Sequence, residues 1–277
     1  MYSLSSELVA KRDRLIDLLR GFGSCLVAFS GGLDSSVLAK AAALALADKA
    51  LAATCVSASM AAGELDEAER IARQIGIRHE TVQTGELSIE AYCENRADRC
   101  YHCKMELLGR LEELAKRLNL AVVAEGGNLD DRADYRPGAK AVAERGARAP
   151  LAECGLTKND LRRLAEAWEL PVWDKPPTPC LSSRIAYGER ITPERLAMID
   201  AAERFLRDRG FRPLRVRYHR GDAARIEVAP EQLPKFLDEG FRRELVDHFR
   251  SLGFKFISLD LEGFRSGSLN AVLNNPA

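Results

Sequence analysis

The sequence predicts an α/β fold in which a parallel, doubly wound sheet is followed by a smaller α+β domain. Short apolar runs alternate with helical apolar patterns through the first part of the chain, as in a parallel sheet covered by helices. Prolines then cluster at positions 171, 176, 177 and 179, which excludes a regular helix there. Beyond them, apolar and charged residues alternate as in a β-hairpin. We therefore expect domains at residues 1–175 and 191–277, joined by a cysteine-bearing linker at 176–190.

The larger domain is predicted to alternate strands with helices. The predicted strands are Cys25–Phe29, Leu51–Ser57, Ile77–Val82 and Leu120–Ala124. The predicted helices are an N-terminal one ending near Gly21, then Ser35–Leu46, Leu65–Ile75, Lys104–Leu118 and one that begins at a capping box on Thr157. In such a sheet, ligands bind beyond the carboxyl ends of the strands.

The smaller domain is predicted to combine a helix, a hairpin, a second helical stretch and a final strand. A Thr-Pro pair is a frequent helix start, and the alternation broken by Arg-Gly-Asp predicts a hairpin with one apolar and one charged face. In chain order these elements lie at Thr192–Gly210, Leu214–Val228, Glu231–Leu252 and Lys255–Leu261.

The first predicted strand enters a Ser-Gly-Gly turn and then a helix, which predicts a phosphate-binding loop. The unpaired amides of the first helical turn, with the helix dipole, attract a phosphate or pyrophosphate. Asp34 is a candidate ligand for Mg²⁺, which would neutralise those phosphates. The alternative is an ordinary turn with a polar helix cap. The candidate phosphate-binding residues are Ser30, Gly31, Gly32, Asp34, Ser35 and Ser36.

The order of residues in this loop is informative. The loop lacks the Gly-Lys-Ser/Thr ending of the Walker pattern and the Gly-x-Gly-x-x-Gly of dinucleotide-binding proteins. It resembles the pyrophosphate loop (PP-loop) of ATP pyrophosphatases, which have an adenine nucleotide alpha hydrolase-like fold, transfer AMP to a carbonyl or carboxylate and release pyrophosphate. The resemblance implies adenylation rather than phosphorylation.

A second polar turn, Glu125–Asp131, follows the fourth predicted strand. It therefore lies at the predicted ligand-binding edge of the sheet. This position favours a nucleotide or metal role, with Asn128 as a candidate binding residue, whereas a plain glycine turn is the alternative.

Composition favours a cytoplasmic protein that binds neither nucleic acid nor membranes. The 41 Lys and Arg residues balance 41 Asp and Glu residues, so no overall basic field attracts a polyanion. No apolar run is long enough to span a bilayer, and the first residues lack a signal-peptide pattern. Seven cysteines, an odd number, favour free thiols, metal binding or redox chemistry over a disulfide framework.

Three cysteines are candidates for metal binding. Cys100 and Cys103 form a Cys-x-x-Cys pair, and Cys180 lies in the proline-rich segment. Three thiolates leave one position open, whereas a closed zinc site needs a fourth ligand, for which Cys93 and His102 are candidates. The spacing alone leaves iron–sulfur, zinc, and redox or inert roles open. The remaining cysteines, expected in the core or without a role, are Cys25, Cys55 and Cys154.

Cys180 differs from the pair in its surroundings. Prolines restrict its loop, and Arg184 is close in sequence, a setting that favours a thiolate. A reactive sulfur beside an adenylated carboxylate suggests sulfur transfer.

Four segments together resemble one family. They are Ser30–Ser36, Asp98–Lys104, Pro179–Gly188 and Glu262–Asn270. The chain is similar, over essentially its whole length, to the LarE-type ATP-dependent sulfur transferases of nickel-pincer nucleotide synthesis. The resemblance implies ATP and Mg²⁺ at the phosphate-binding loop, adenylation of a carboxylate of pyridinium-3,5-biscarboxylate mononucleotide, and replacement of AMP by sulfur to leave a thiocarboxylate.

The resemblance also implies roles for individual residues. Arg215 and Arg217 match arginines that face the family's active site, and Arg184 is a further candidate for orienting the anionic substrate. One branch of the family gives up the sulfur of its own cysteine, which corresponds to Cys180 here. Another branch holds a [4Fe-4S] cluster on three cysteines and transfers an exchangeable sulfide carried on its open iron.

This chain matches the three-cysteine branch, with Cys100, Cys103 and Cys180 as the implied cluster ligands. The implied partners are the small pyridinium mononucleotide, sulfide or another sulfur donor, and further copies of the chain in a homo-oligomer. Two other functions stay open. One is a tRNA thiolase, which the balanced charge of the chain disfavours, and the other is a non-catalytic nucleotide-binding module with a structural zinc.

Overall fold

The computed structural model describes residues 4–133, 137–176, 178–265 and 267–269. The chain divides into two compact units. Unit one consists of the chain up to Ser57, Gly63–Glu86 and Cys100–Thr178, and unit two consists of Ala58–Ala62, Leu87–Arg99 and the chain from Pro179 onward. The proposed division into residues 1–175, 176–190 and 191–277 stays a prediction.

Unit one is built on a four-stranded sheet in which every pairing is parallel. Its strands are β1 (Cys25–Ala28), β2 (Ala50–Val56), β3 (Arg78–Gln83) and β4 (Val122–Ala124). They lie in the order β3-β2-β1-β4, so β1 is central and has neighbours on both sides. The predicted parallel α/β fold is confirmed, with strand ends within two residues of the predicted ones.

Helices cover both faces of this sheet. Those of unit one are α1 (Ser6–Gly21), α2 (Leu33–Leu46), α3 (Glu64–Ile75), α5 (Arg99–Arg117, which begins in unit two), α6 (Pro137–Arg145), α7 (Pro150–Glu153) and α8 (Lys158–Ala167). One core cluster joins Cys25 and Val27 of β1 to α1, α2, α3 and α8. A second joins Leu26 to Leu111 and Leu114 of α5. Successive β1 residues thus face opposite sides, as the doubly wound prediction requires.

Unit two has a three-stranded sheet. Its helices are α4 (Glu90–Cys93), α9 (Pro193–Asp208) and α10 (Glu239–Ser251), and its strands are β5 (Leu214–His219), β6 (Ala223–Val228) and β7 (Phe256–Leu259). The predicted hairpin is present as the antiparallel β5–β6 pair, and β7 pairs with β6 in parallel. Val216, Tyr218 and Ile226 are buried.

Two predicted helices differ from the observed ones. The stretch predicted from Glu231 begins as a 3₁₀ segment, Pro230–Leu237, and α10 starts only after Asp238, which caps it by accepting a hydrogen bond from the Phe241 amide. Pro234 explains the difference, because it lacks the N–H that an α-helix needs at that point. Helix α5 starts at Arg99 rather than Lys104, so the Cys-x-x-Cys pair lies in its first turns. In the described part of the chain, no helix has the length and apolar character needed to cross a membrane.

Candidate active site

The predicted phosphate-binding loop lies at the carboxyl end of the central strand β1. Gly32 is the N-cap residue of α2, and no side chain caps this helix in the described structure, so amides of its first turn are open to an anion. The loop is held by its own serines: the Ser30 and Ser35 hydroxyl oxygens are 3.1 Å apart, and the Gly32 amide donates to Ser30 Oγ over 3.3 Å.

Two further details of the loop suit a phosphate. The Ser36 hydroxyl is buried and has no hydrogen-bond partner in the described structure, although such a group normally has one. Gly31 has φ +66°, and a Cβ there would lie 3.0 Å from Ala68 Cα. A side chain at position 31 would therefore be strained and crowded, so the chain needs glycine for this turn.

Asp34 lies in the first turn of α2 and has two polar partners. Lys158 Nζ donates to its Oδ1 over 2.6 Å, and Asn128 Nδ2 donates to its Oδ2 over 3.3 Å. A carboxylate is a typical Mg²⁺ ligand, so the chemistry of Asp34 fits the predicted cation. Lys158 places a positive charge at the same position, where it also suits the phosphates of a nucleotide.

The second polar turn contacts the phosphate-binding loop directly. A Cβ at Gly126 would lie 3.1 Å from the Ser35 nitrogen and 3.3 Å from the Asp34 carbonyl carbon. Asn128 is buried, and its side-chain oxygen accepts from the Asp130 amide over 2.9 Å. The structure therefore brings Asn128 to the predicted phosphate site, as expected for strands that end at the same edge of a sheet.

Lys175 also reaches this loop, at the end of the described segment before residue 177. Its ammonium group donates to Glu67 over 2.7 Å and to the Gly31 carbonyl oxygen over 3.4 Å. Sequence patterns pointed to neither Lys158 nor Lys175, because each is far from the loop in sequence and approaches it only through the fold.

The Cys-x-x-Cys pair lies on one helix. Cys100 is exposed and Cys103 is partly exposed, and residues three apart on a helix are neighbours. Lys104, which follows the pair, donates to Glu125 over 2.9 Å, so the helix is tied to the turn that contacts the phosphate-binding loop. All these residues belong to unit one.

Cys180 lies in unit two, exposed at the start of a 3₁₀ turn, Leu181–Arg184. The Leu181 amide donates to the Ser59 carbonyl oxygen over 2.8 Å, and Ser183 Oγ donates to the Cys180 carbonyl oxygen over 2.7 Å. The thiol is therefore carried on a turn whose backbone is fixed while its sulfur stays accessible.

Arg184 is buried beneath this turn, with only 1% of its surface exposed. Its Nε and Nη2 donate to Glu203 over 3.0 and 3.2 Å, and its Nη1 donates to the carbonyl oxygens of Pro179 and Cys180. Glu203 also accepts from the Val216 amide over 3.1 Å. These contacts give Arg184 a clear role in holding the Cys180 turn, and its predicted role in orienting the substrate stays a prediction.

Arg217 lies on the charged face of the hairpin, yet its side chain is buried. The Arg217 guanidinium donates to Glu227 from Nε and Nη2, to the Ser183 carbonyl oxygen over 3.1 Å, and to Ser268 Oγ over 3.1 Å. Ser268 in turn donates to Glu227 over 2.6 Å. The family segment Glu262–Asn270 is thereby connected through Ser268 to the Cys180 turn within unit two, while its Ser266 and Asn270 lie outside the described residues.

Arg215 is the neighbouring arginine on β5. Burial, followed by the positive charge of Arg184, lowers the pKa of Arg215 to about 10. Its guanidinium lies 5.2 Å from the centre of the Phe264 ring and donates to the Leu214 carbonyl oxygen over 2.6 Å. The charges around Arg215 are mixed, since Arg184 and Arg217 lower its pKa while Glu203 and Glu227 raise it.

The remaining candidate metal ligands, Cys93 and His102, make other contacts. Cys93 is buried in unit two and its thiol donates to the Leu87 carbonyl oxygen over 3.2 Å, while the His102 ring packs edge-on against Tyr101. Across the described ranges, no group of three or more His, Cys, Asp or Glu side chains is arranged to hold a metal ion. Because Cys100 and Cys103 belong to unit one and Cys180 to unit two, the three-cysteine set stays a prediction.

Comparison with known proteins places the chain in a family. Residues 16–102 match the asparagine synthase family. The chain is 36% identical, over 97% of its length and 96% of the relative's, to the pyridinium-3,5-bisthiocarboxylic acid mononucleotide synthase of Lactiplantibacillus plantarum. The chain belongs to the LarE-type family.

Two further relatives carry no assigned function. An uncharacterized protein of Synechocystis sp. is 45% identical over 96% of this chain and 99% of its own length. An uncharacterized protein of Methanocaldococcus jannaschii is 29% identical over 87% of this chain and 90% of its own. The LarE-type chain described here is an ATP-dependent sulfur transferase of the PP-loop superfamily, as its sequence motifs predicted.

For this LarE-type enzyme, sequence reasoning missed residues that act at a distance along the chain. Lys158 and Lys175 approach the phosphate-binding loop, and Glu203 and Glu227 neutralise the buried arginines of unit two. All four resemble ordinary surface charges in the sequence.

Proposed function

We propose that the enzyme adenylates a carboxylate of pyridinium-3,5-biscarboxylate mononucleotide and then replaces AMP with sulfur, leaving a thiocarboxylate. The similarity to the Lactiplantibacillus synthase, over nearly the whole of both chains, is the observation that carries this proposal. The uncapped start of α2 supports the ATP-dependent half of the reaction, because it offers amides to a leaving pyrophosphate.

In the first step, a carboxylate oxygen of the substrate attacks the α-phosphorus of ATP, and the bond to the β-phosphate oxygen breaks. The products are an acyl-adenylate and pyrophosphate. We assign binding of the triphosphate to Ser30–Ser36, with Ser36 Oγ as a buried donor that has no other partner in the described structure. Asp34 and Asn128 would hold Mg²⁺ and the adjacent phosphates, and Lys158 would add positive charge as pyrophosphate leaves.

In the second step, a sulfur nucleophile attacks the acyl carbon, the bond from that carbon to the AMP oxygen breaks, and AMP leaves. We propose that Arg215 and Arg217 bind the phosphate or carboxylate of the substrate, and that Arg184 contributes through the turn that carries Cys180. Burial, followed by the charge of Arg184, lowers the pKa of Arg215, and a bound anion would favour its charged form. Arginine suits such a group because its planar donors match carboxylate and phosphate oxygens.

We further propose that Cys100, Cys103 and Cys180 are the ligands of a [4Fe-4S] cluster. Thiolates are the usual ligands of such clusters, and all three thiols are at least partly exposed, so their chemistry fits the group. When bound, the cluster would supply a sulfur that can be replaced after each turnover. We also propose that the enzyme acts in the cytoplasm as a homo-oligomer, with sulfide or another sulfur donor as a further substrate.

Pyrophosphate release tests the proposed acceptor. The enzyme, ATP and Mg²⁺ are incubated with the pyridinium biscarboxylate mononucleotide or with bulk tRNA, and pyrophosphate is measured. We expect release that depends on the pyridinium compound and appearance of its thiocarboxylate by mass spectrometry. Release that depends on tRNA instead would favour the thiolase alternative.

Iron and acid-labile sulfide analysis tests the proposed cluster. Protein prepared without oxygen is expected to be brown and to contain both elements, and mass spectrometry should find Cys180 intact after several turnovers. Colourless protein with zinc, or conversion of Cys180 to dehydroalanine after one turnover, would contradict the cluster proposal. Single replacement of Cys100, Cys103 or Cys180 by alanine should abolish repeated turnover.

A further inference from the structure

The segment Leu87–Arg99 belongs to unit two, although the chain before and after it belongs to unit one. Residues that follow the Cys180 turn donate hydrogen bonds to the backbone of Leu87–Arg99. The Gly188 amide donates to the Asn95 carbonyl oxygen over 3.1 Å, and the Ile191 amide donates to the Cys93 carbonyl oxygen over 2.8 Å. This segment is therefore built into the same body as the Cys180 turn.

Asn95 is the centre of this contact. It is fully buried and has φ +55°, a conformation that asparagine adopts more readily than most residues. Its side-chain nitrogen lies 3.2, 2.8 and 3.0 Å from the carbonyl oxygens of Ile185, Ala186 and Glu189. A single amide thus holds the backbone that follows the Cys180 turn, and its side-chain oxygen is left for another donor.

Arg99 is that donor. Its Nη1 donates to Asn95 Oδ1 and, over 3.0 Å, to the Ser182 carbonyl oxygen. Only 6% of Arg99 is exposed, and its guanidinium lies 5.4 Å from the centre of the Tyr187 ring. The buried hydroxyl of Tyr92, from the same segment, lies 2.6 Å from Ser182 Oγ. We call Asn95, Arg99 and Ser182 the clasp.

The clasp joins two predicted functional segments. Ser182 lies two residues after Cys180, and Arg99 is both the first residue of α5 and the residue immediately before Cys100. We propose that Arg99, oriented by Asn95, is a positioning residue that holds the backbone of the Cys180 turn in place within unit two. The inference rests on the proposed role of these thiols in sulfur transfer.

This role has a physical basis in the cost of misplacement. A buried guanidinium that donates to a backbone carbonyl fixes that backbone more firmly than a neutral hydrogen bond does. Sulfur delivery requires the nucleophile near van der Waals contact with the acyl carbon, so a shift of about 1 Å is enough to slow it strongly. The adenylate would then be lost to water, and pyrophosphate release would continue without sulfur transfer.

The test is the number of thiocarboxylates formed for each pyrophosphate released. Arg99→Gln should lower this ratio roughly tenfold, and Arg99→Lys, which keeps the charge and a donor, should restore part of it. The matched control is Arg96→Gln, because Arg96 is in the same segment but its side chain is 70% exposed and pairs with Glu94. The control should leave the ratio unchanged. An unchanged ratio in Arg99→Gln, or equal loss of both reactions, would overturn the inference.

A second measurement does not depend on the proposed function. The rate at which iodoacetamide alkylates Cys180 is determined by peptide mass spectrometry on metal-free protein. Arg99→Gln should release the turn and make alkylation several times faster, with a smaller increase in Arg99→Lys and none in Arg96→Gln. Wild-type protein that forms no thiocarboxylate would contradict the proposed function alone, whereas equal alkylation rates in all four proteins would overturn the clasp. The lysine variant keeps the test usable where the glutamine variant fails to fold.

Discussion

Replacement of Glu203 by alanine tests how the Cys180 turn is supported. Glu203 is fully buried and accepts hydrogen bonds from Arg184 Nε, Arg184 Nη2 and the Val216 amide. Arg207 adds a charge 3.7 Å away. The replacement would leave the Arg184 guanidinium buried with no carboxylate against it, together with an unpaired strand amide.

The expected cost follows from that geometry. Loss of one partner of a buried ion pair destabilises a protein by about 3–5 kcal/mol, most of it from the charge left without compensation. The pair here is only 1–2% exposed, so solvent cannot replace Glu203. We therefore expect Glu203→Ala to lower the free energy of unfolding of unit two by about 3–5 kcal/mol.

Urea unfolding followed by circular dichroism measures this loss, and hydrogen exchange at amides of the β5–β6 hairpin other than Val216 assigns it to unit two. Glu239→Ala is the matched control, since that carboxylate is 75% exposed in its pair with Arg243 and should contribute little. The double variant Arg184→Met with Glu203→Leu should recover most of the stability, because an apolar pair fills the same space without a buried charge.

The double variant also separates stability from activity. It lacks the donors that Arg184 gives to the Pro179 and Cys180 carbonyl oxygens, so sulfur transfer should stay low even in a stable protein. A loss below about 1 kcal/mol in Glu203→Ala, or a double variant less stable than either single variant, would refute the reasoning.

Three further predictions follow from the described structure. Gly126→Ala should slow ATP-dependent pyrophosphate release at least tenfold, because the new Cβ would lie 3.1 Å from the Ser35 nitrogen. The control is Gly138→Ala, whose Cβ would meet no atom closer than 3.9 Å, and equal activities of the two variants would contradict the prediction. At pH 8, iodoacetamide should label Cys100 before Cys55, because Cys100 is exposed and burial raises the pKa of Cys55 to about 12; comparable rates would be inconsistent with this burial. Burial lowers the pKa of His79 below its ordinary value of 6.5, so the unfolded chain binds the proton more readily than the folded one. The free energy of unfolding should therefore fall as the pH drops below 6.5. In urea unfolding, a His79→Gln variant should show a shallower fall, and the same pH dependence in both proteins would contradict this prediction.

The sequence was most informative where structure is local. Residues 25–36 contain a strand, a turn and a helix start next to one another, and each is recognisable by its own pattern, so the phosphate-binding loop could be located in advance. The same holds for Gly76, which ends α3 with φ +79°, and for the Thr157 capping box. The hairpin was predictable because its alternation extends over both strands.

Lys158, Glu203 and Asn95, which support the site, could not be predicted from the sequence, and the reason is physical. Lys158 contacts Asp34, 124 positions away, and Asn95 contacts Ile185, 90 positions away. Glu203 is closer to its partners Arg184 and Val216, 19 and 13 positions away, but one of them is a backbone amide that has no sequence signature. The alternation along β5 predicted a charged face, but it did not show that Arg217 is only 5% exposed, with its guanidinium bound by Glu227 and Ser268. Burial of a charge depends on partners that only the fold supplies.

The most direct test of the central claim follows an oxygen atom. The pyridinium biscarboxylate mononucleotide is prepared with ¹⁸O in its carboxylates and incubated with the enzyme, ATP and Mg²⁺ under conditions that support sulfur transfer. Adenylation followed by displacement predicts one ¹⁸O in AMP for each thiocarboxylate formed, and unlabelled pyrophosphate. Thiocarboxylate formed with ¹⁸O in orthophosphate, or with unlabelled AMP, would contradict the account.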